Sequence, residues 1–369
     1  MTKLHEPTTG TKLAHVTQFF TDQVRAFTDD LTRLDSEIDS QAVPCRGDEF
    51  HHRVLKAFQT SQGDCRDFER NHGADLTMLR DVQNGFREET DPWFRQSWIA
   101  NRARTKPSGF AGDFEMLRKL YDEKTPALGL GGYLDLCILD LPLAQAVRAR
   151  LKAARAFLLA ELSSRRSDVR ILDIACGPCR EYEHWPIGLA SRTEIVAMDN
   201  DPEALAYVET QVASHLTPPT QLRPERYNAL RTRSAETTKR KFGTFDIIYS
   251  VGLCDYLSDD HLIGMLSAWR QTLNPGGVLF IAFKDTLQYD KTPYQWHLDW
   301  FFYQRTTEDV LNLYRAAGFD TNQMEMVRDD TEIIVNYIDR LGDEEVQRVD
   351  AAETIGRPHG KATRRSRQR

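Results

Sequence analysis

Apolar residues between His15 and Ile38 recur at steps of three and four positions, which is the spacing of one face of an α-helix. They are Val16, Phe19, Phe20, Val24, Phe27, Leu31, Leu34 and Ile38. The same spacing predicts helices over residues 50–58, 76–88 and 92–102, and none of these stretches alternates as a strand would. We therefore expect the N-terminal part of the chain to be mainly α-helical.

Two loops that are rich in glycine and proline interrupt this helical pattern, at residues 106–113 and 125–132. Asp113 can cap the helix that follows the first loop, because its side chain can accept a backbone N–H. After the second loop we expect one long helix over residues 133–163, with a kink at Pro142.

From Val169 onwards, short apolar stretches alternate with helical stretches. The predicted strands are residues 169–174, 194–198, 222–227, 245–250, 277–283, 323–328 and 332–338. Apolar runs without polar alternation are typical of strands that are covered on both faces of a parallel sheet. The last two strands are close enough to form a hairpin, which brings in one antiparallel strand. The sequence predicts an α/β fold with a seven-stranded, mostly parallel, Rossmann-like sheet and an N-terminal α-helical domain.

We expect three parts: a helical domain at residues 1–160, a sheet domain at 161–345 and a disordered, solvated basic tail at 346–369. The net charge of −7 argues against a nucleic-acid surface. The sequence contains no apolar run of roughly 20 residues, so we expect no membrane insertion. The polar N-terminus lacks the apolar core of a signal peptide, and a cytoplasmic location is expected.

The chain has six cysteines, and two of them, Cys176 and Cys179, have Cys-x-x-Cys spacing. A metal or redox function for this pair would require a second ligand pair or a thioredoxin-like context. The sequence shows neither, so we interpret both cysteines as small residues in a tight turn and expect no metal.

The predicted strand at 169–174 runs directly into a turn of small residues, and the next strand ends at Asp199. A strand, a small-residue turn, a helix and a second strand with an acid at its tip form a nucleoside-binding unit. The Asp199 carboxylate can accept two hydrogen bonds from the vicinal diol of a ribose. The spacing is shared with dinucleotide-binding proteins, so a nicotinamide cofactor stays open as an alternative.

The segment from Asp173 to Arg180 resembles motif I of class I S-adenosylmethionine-dependent methyltransferases. Gly177 keeps a glycine of that motif, whereas Ala175 and Cys179 replace the other two. The resemblance extends over roughly residues 171–339 and implies S-adenosylmethionine as the cofactor. The cofactor-binding residues that it implies are Asp173, Ala175, Gly177, Pro178, Asp199, Asn200, Asn228, Ala229, Ser250, Val251, Gly252 and Tyr256.

The stretches Arg102–Met116 and Pro142–Arg150 resemble a bacterial group of methyltransferases that includes the synthases of 3-hydroxy-fatty-acid methyl ester quorum signals. This resemblance implies carboxyl O-methylation of a small or lipid-like acid. Guanidinium groups bind carboxylates bidentately, which agrees with a cluster of cations before the first loop. The predicted substrate-binding residues are Arg102, Lys106, Phe110, Tyr133 and Trp296. His297 and Tyr303, in an aromatic segment after the fifth strand, are the predicted catalytic residues.

Three alternatives stay open. An amine or hydroxyl acceptor would favour a base, for which His297 or His261 is the candidate. A nicotinamide-dependent oxidoreductase and a non-catalytic binding module would use the same fold. The expected partner is a small-molecule acceptor, and the sequence also leaves a homodimer open.

Overall fold

The computed structural model describes residues 9–186 and 192–342, so the tail predicted at 346–369 lies outside the described residues. A π-helical turn, Phe19–Val24, joins the first two helices. The helices are α1 (Thr9–Gln18), α2 (Arg25–Glu37), α3 (Glu49–His72), α4 (Leu76–Phe94), α5 (Trp98–Thr105), α6 (Phe114–Asp122), α7 (Gly129–Leu139), α8 (Pro142–Ser164), α9 (Pro202–Tyr207), α10 (Ala235–Phe242), α11 (Asp259–Thr272) and α12 (Thr307–Ala316).

Seven strands form one sheet in the order β3-β2-β1-β4-β5-β7-β6. They are β1 (Val169–Ile174), β2 (Thr193–Asp199), β3 (Thr220–Arg226), β4 (Phe245–Val251), β5 (Leu273–Lys284), β6 (Glu325–Arg328) and β7 (Ile334–Arg340). Strands β1 to β5 pair in parallel, and β7 runs antiparallel to both β5 and β6. The predicted fold class is therefore confirmed.

The strand order places a cleft beside β1. The chain proceeds from β1 outwards through β2 to β3 and then returns to β4 on the other side of β1. Connections that leave a strand in opposite directions open a crevice at the carboxyl ends of the neighbouring strands, where ligands of open α/β sheets bind. The topology alone thus directs attention to the ends of β1, β2 and β4.

The helical core includes residues from far along the chain. Phe27, Leu31 and Phe58 are buried in this core, as their helical spacing predicts. Trp296 and Leu298, which follow β5, are buried in the same cluster. The segment between β5 and α12 therefore completes the core of the N-terminal helices, although the sequence assigned it to the sheet domain.

The predicted loop at 125–132 and the single helix after it differ from the structure. The last four residues of that loop begin α7, and the long predicted helix is two helices, α7 and α8, which meet at 59°. Pro142 is the first residue of α8, where a missing N–H leaves no hydrogen bond unmade. Gly131 can lie in α7 because its backbone contacts the Gln96 carbonyl so closely that no side chain fits.

Taken one at a time, none of the described helices has the length and apolarity needed to span a membrane. The bent pair α7 and α8 reaches that length and composition only when its two helices are counted together.

The close approach at Gly131 predicts a difference between two glycine-to-alanine substitutions in helices. A Cβ at Gly131 would lie 2.2 Å from the Gln96 carbonyl oxygen, whereas at Gly63 the nearest atom would be 3.9 Å away. Gly131→Ala should lower the free energy of unfolding by about 1–3 kcal/mol through overpacking. Gly63→Ala should raise it by about 0.4–1 kcal/mol. Urea unfolding of both variants checks this, and equal effects would contradict the described packing of α7.

Candidate functional site

The turn after β1 is held in an unusual backbone shape. Ala175, Gly177 and Cys179 have positive φ angles of 58°, 54° and 49°. The Gly177 N–H donates to a carboxylate oxygen of Asp199 at 2.9 Å, which ties the turn to the tip of β2. Small side chains at these positions let a ligand approach the backbone closely.

A cavity of about 340 Å³ opens where this turn meets the ends of β2 and β4, the helix α8 and the loop at 106–113. Its volume lies in the range of small-molecule sites. It is lined by Phe110, Gly112, Phe114, Leu117, Val147, Arg150, Ala175, Gly177, Asp199, Asn200, Asp201, Ala204, Tyr227, Asn228, Ala229, Leu230, Val251, Gly252, Leu253, Tyr256, Leu257, Lys284 and Trp300.

Two carboxylates mark one end of the cavity. Asp199 accepts the N–H groups of Gly177 and Asp201, the latter at 3.0 Å, and burial raises the pKa of Asp199. One carboxylate oxygen of Asp201 is buried and has no hydrogen-bond partner among the described residues. Acceptor-only groups at this end suit the hydroxyl donors of a ribose.

Most of the residues predicted to bind the cofactor line this one cavity. They are Ala175, Gly177, Asp199, Asn200, Asn228, Ala229, Val251, Gly252 and Tyr256. The Asn228 side-chain oxygen, expected to meet an adenine amino group, already accepts the Leu230 N–H at 2.9 Å. Their role in cofactor binding stays a prediction, but the structure brings them to the same place.

Asp173, Pro178 and Ser250 are buried beneath the cavity and do not line it, in contrast to the prediction. The Ser250 hydroxyl donates to the Ile174 carbonyl at 2.8 Å, which joins β4 to β1. The Asp173 carboxylate accepts the Cys179 thiol at 3.4 Å, and burial raises the pKa of Asp173 well above its usual range. These side chains support the turn from below.

The Cys-x-x-Cys pair belongs to the same buried layer. Ligand atoms of Asp173, Cys176 and Cys179 lie within 4.8 Å of one another, a grouping that could hold a metal ion. Burial raises the pKa of the Cys179 thiol, which keeps it protonated and able to donate to Asp173. The hydrogen bond accounts for Cys179 as a small residue that closes the turn.

The predicted acceptor-binding cations have other partners. Arg102 donates from Nε to both carboxylate oxygens of Asp113, at 2.9 and 3.0 Å, and Lys106 pairs with Asp299. Neither Arg102 nor Lys106 lines the cavity. They fix the ends of the loop at 106–113. Phe110 of this loop lines the cavity, and its role in substrate binding stays a prediction.

The structure also places His297 outside the site, contrary to the prediction. Its imidazole is fully buried among the rings of Phe58 and Phe86, with centroids 4.9 Å apart in both cases. Its Nε2 lies 3.1 Å from the Ser61 hydroxyl, and burial lowers the pKa of His297 well below its usual value. Aromatic residues after the fifth strand can either line a pocket or pack in a core, and here His297 and Trp296 pack in the helical core.

Three further predicted residues lie away from the cavity. The Trp296 indole N–H donates to Glu69 at 2.9 Å, and the Tyr133 hydroxyl donates to Asp48 at 2.5 Å. Both belong to the helical core. Tyr303 is half exposed and does not line the cavity.

Two cations that the sequence analysis missed, Arg150 and Lys284, line the cavity instead. Lys284 ends β5, and its ammonium group pairs with Asp255 and lies 4.5 Å from the Phe302 ring centre. Burial lowers the pKa of Lys284. A lysine that ends an apolar strand at the ligand edge of the sheet is the sequence signal that could have identified it.

Aromatic side chains enclose this second end of the cavity. The Trp300 indole N–H donates to the Tyr256 hydroxyl at 2.7 Å. Gly112 packs against both, since a Cβ at this position would lie 2.9 Å from Cζ2 of Trp300 and 2.9 Å from the Tyr256 hydroxyl oxygen. The loop at 106–113 and the segment after β5 therefore meet above the end of β4. Neither His261, whose Nδ1 lies 2.8 Å from the Ser258 hydroxyl, nor another histidine is among the described residues that line the cavity.

The sequence of residues 172–279 matches a family described as "Methyltransferase domain". The fold is similar to the crystal structure of a "possible exported protein" from Bordetella parapertussis, with 20% identity, coverage of 62% of this chain and 79% of that chain, and a TM-score of 0.51. At this identity the likeness concerns the fold alone. Among curated proteins, no sequence matches this chain.

Two other solved structures are similar over part of the chain. Magnesium protoporphyrin IX methyltransferase from Synechocystis PCC 6803, with bound SAH, is 12% identical and has a TM-score of 0.44, over 66% of this chain and 97% of that chain. The N-methyltransferase NodS from Bradyrhizobium japonicum is 16% identical and has a TM-score of 0.33, over 52% of this chain and 97% of that chain.

The position of Asp199 predicts how an adenosine-containing ligand binds. Asp199→Asn should weaken the binding of S-adenosylhomocysteine about tenfold or more, the value of one hydrogen bond to a charged group. Because burial raises the pKa of Asp199, ligand affinity should fall on acidification at a higher pH than an ordinary aspartate would cause. Calorimetric titration over a pH series measures both effects.

The exposed Asp260 provides a matched control, since Asp260→Asn makes the same change of charge away from the cavity. The control should bind S-adenosylhomocysteine as the unchanged protein does. Equal affinity of the Asp199 variant and the control would show that Asp199 does not contact the ligand.

Proposed function

We propose, from the premise that residues 172–279 form a class I S-adenosylmethionine-dependent methyltransferase domain, that this enzyme methylates the carboxylate of a small or lipid-like acid. S-adenosylmethionine supplies a methyl group that is already activated on a sulfonium. The residues of the chain have to align the acceptor and exclude water. The identity of the acceptor therefore depends on the second end of the cavity.

The observation that carries this proposal is the buried lysine at that end. Lys284 is only 7% exposed and has an ammonium group with three donors, of which one donates to Asp255. A carboxylate that enters beside Lys284 can accept a remaining N–H through one oxygen, which leaves the other oxygen free to attack.

The absence of a suitable base supports the same class of acceptor. A hydroxyl or amine acceptor has to lose a proton, which favours a nearby histidine. No histidine is among the described cavity-lining residues. Asp255 accepts hydrogen bonds from both the backbone N–H and the side chain of Lys284, so its carboxylate is engaged. A carboxylate acceptor needs no such base, because it is already ionised at neutral pH.

The surroundings suit an acid with an apolar body. Besides the aromatic pair of Tyr256 and Trp300, the cavity is lined by apolar residues from α6, α8 and the loop after β4, namely Leu117, Val147, Leu253 and Leu257. We infer that the helical region at 1–160 acts as a cap whose loop at 106–113, with Phe110, shields the acceptor from water. The resemblance to the quorum-signal synthases makes 3-hydroxy fatty acids the first acids to test.

A panel of acceptors that share one carbon skeleton tests the proposal. Acids, alcohols and amines of equal chain length are incubated with the purified enzyme and S-adenosylmethionine, and products are identified by mass spectrometry. We expect a methyl ester of an acid, heavier by one CH₂. Methylation confined to alcohols or amines would instead favour the second candidate, a hydroxyl or amine methyltransferase.

The pair of Lys284 and Asp255 leads to a kinetic prediction. Replacing both as Lys284→Gln with Asp255→Asn avoids leaving one charge buried alone, which would cost several kcal/mol. The double variant should raise the KM for the acid about tenfold or more, because the acceptor loses a charge-assisted hydrogen bond. Its affinity for S-adenosylhomocysteine should change little.

The same pair sets a pH dependence. Burial lowers the pKa of Lys284, so the KM for the acid should rise as the pH increases through that lowered pKa, below the alkaline range of an ordinary lysine. The double variant should lose this rise, and the exposed Lys56→Gln variant should keep it. An identical pH profile in the double variant would remove Lys284 from the acceptor site.

A further inference from the structure

Arg150 is a buried cation in α8 that forms no direct ion pair with a carboxylate in the described part of the chain. Its side chain lines the cavity, and the residue is only 3% exposed. The Nε atom has no hydrogen-bond partner among the described residues. No carboxylate of residues 9–186 or 192–342 forms an ion pair with its guanidinium. Because burial of an unpaired charge is costly, an anionic group of a ligand is the expected partner.

The acidic residue beside Arg150 does not fill this role. Glu181 interacts with Arg150 electrostatically, but it accepts the Tyr249 hydroxyl at 2.6 Å and lies next to Asp173. Burial raises the pKa of both carboxyl groups. The Tyr121 hydroxyl also interacts with Arg150, and a neutral hydroxyl does not compensate its charge. The guanidinium is therefore oriented by its neighbours and left with donors that face the cavity.

The position of Arg150 within the cavity identifies which anion it meets. Its guanidinium packs against Gly252, because a Cβ at that glycine would lie 3.0–3.2 Å from the guanidinium atoms. Gly252 follows β4 and lines the cavity together with Gly177, in the turn after β1. One end of the cavity carries Asp199, and the other carries Lys284. Arg150 thus packs on Gly252 between two neighbours with which it interacts electrostatically, Glu181 after the turn that follows β1 and Lys284 at the end of β5.

We propose that Arg150 binds the α-carboxylate of the methionyl part of S-adenosylmethionine. If the ribose hydroxyls bind at Asp199, the transferable methyl group points towards Lys284. The amino-acid part of the cofactor then lies along the wall formed by Gly177 and Gly252. A guanidinium matches a carboxylate with two parallel donors, which fixes orientation as well as adding affinity. Gly252 suits this contact, because its φ of 122° lies in the region that favours glycine and a Cβ would lie only 3.0 Å from the guanidinium.

This assignment rests on the proposed function, because the ribose is placed at Asp199 and the methyl group is directed towards the acceptor at Lys284. It makes Arg150 a residue that binds the cofactor and positions the sulfonium relative to Lys284. The prediction is that Arg150 distinguishes ligands by the presence of an α-carboxylate.

Two ligands that share the adenosine and the thioether test this inference by calorimetric titration. S-adenosylhomocysteine carries the α-carboxylate, and 5′-methylthioadenosine lacks the amino-acid part. Arg150→Gln should weaken S-adenosylhomocysteine binding about 10- to 100-fold, the value of hydrogen bonds between charged groups. The affinity for 5′-methylthioadenosine should stay within about twofold, and Arg150→Lys should recover part of the loss, because it keeps the charge without the planar fork.

Lys152 provides the control, since it lies two residues further along α8, is exposed and does not line the cavity. Lys152→Gln removes one positive charge and should leave both affinities unchanged. An equal loss of both ligands in Arg150→Gln would indicate damage to the cavity and would overturn the proposal. Unchanged affinity for both ligands, with a raised KM for the acid, would assign Arg150 to the acceptor and would also overturn it. No binding of S-adenosylhomocysteine to the unchanged protein would overturn the cofactor premise itself.

Discussion

The hydrogen bond from the Gly177 N–H to the Asp199 carboxylate connects the turn after β1 to the tip of β2. In this turn every second residue from Ala175 to Cys179 has a positive φ. This backbone conformation costs free energy for alanine and cysteine, so the surroundings have to stabilise it. Asp173 contributes from below by accepting the Cys179 thiol. Asp199 and this turn both line the cavity, so the shape of the turn sets the shape of this end of the cavity.

The other end of the cavity depends on contacts between distant parts of the chain. Trp300, from the segment after β5, reaches Tyr256 and packs on Gly112 of the first loop. That segment is anchored by the burial of Trp296 in the helical core, and the loop is anchored by Arg102 and Asp113. The aromatic wall is therefore a joint product of the helices and the sheet, and neither builds it alone.

The sheet and the nucleoside end of the cavity could be predicted from the sequence, because their signals are local. A buried strand, a small-residue turn and an acid at the tip of the next strand are contiguous in the chain, and parallel pairing brings their ends together. The breaks in the helical region were predicted less well. The glycines of α7 indicated a loop, yet Gly131 is needed because the Gln96 carbonyl approaches it closely.

The end of the cavity at Lys284 and Trp300 could not be predicted, because its signals are not local. Arg150 lies within a helical stretch and Lys284 ends an apolar strand, and nothing in the local sequence distinguishes them from ordinary members of those elements. His297 and Trp296 look like a pocket wall in sequence, but the helices surround them and make them part of a core. Arg102 looks like a carboxylate binder, and it does bind one, that of Asp113 in its own chain.

A crystal structure of the enzyme with S-adenosylhomocysteine tests the central claim most directly. We predict that the ribose hydroxyls lie within hydrogen-bond distance of Asp199, with the homocysteine part along Gly177 and Gly252 and the sulfur directed towards Lys284. A ligand bound elsewhere, or one whose ribose faces Lys284 and Trp300 instead of Asp199, would contradict the account.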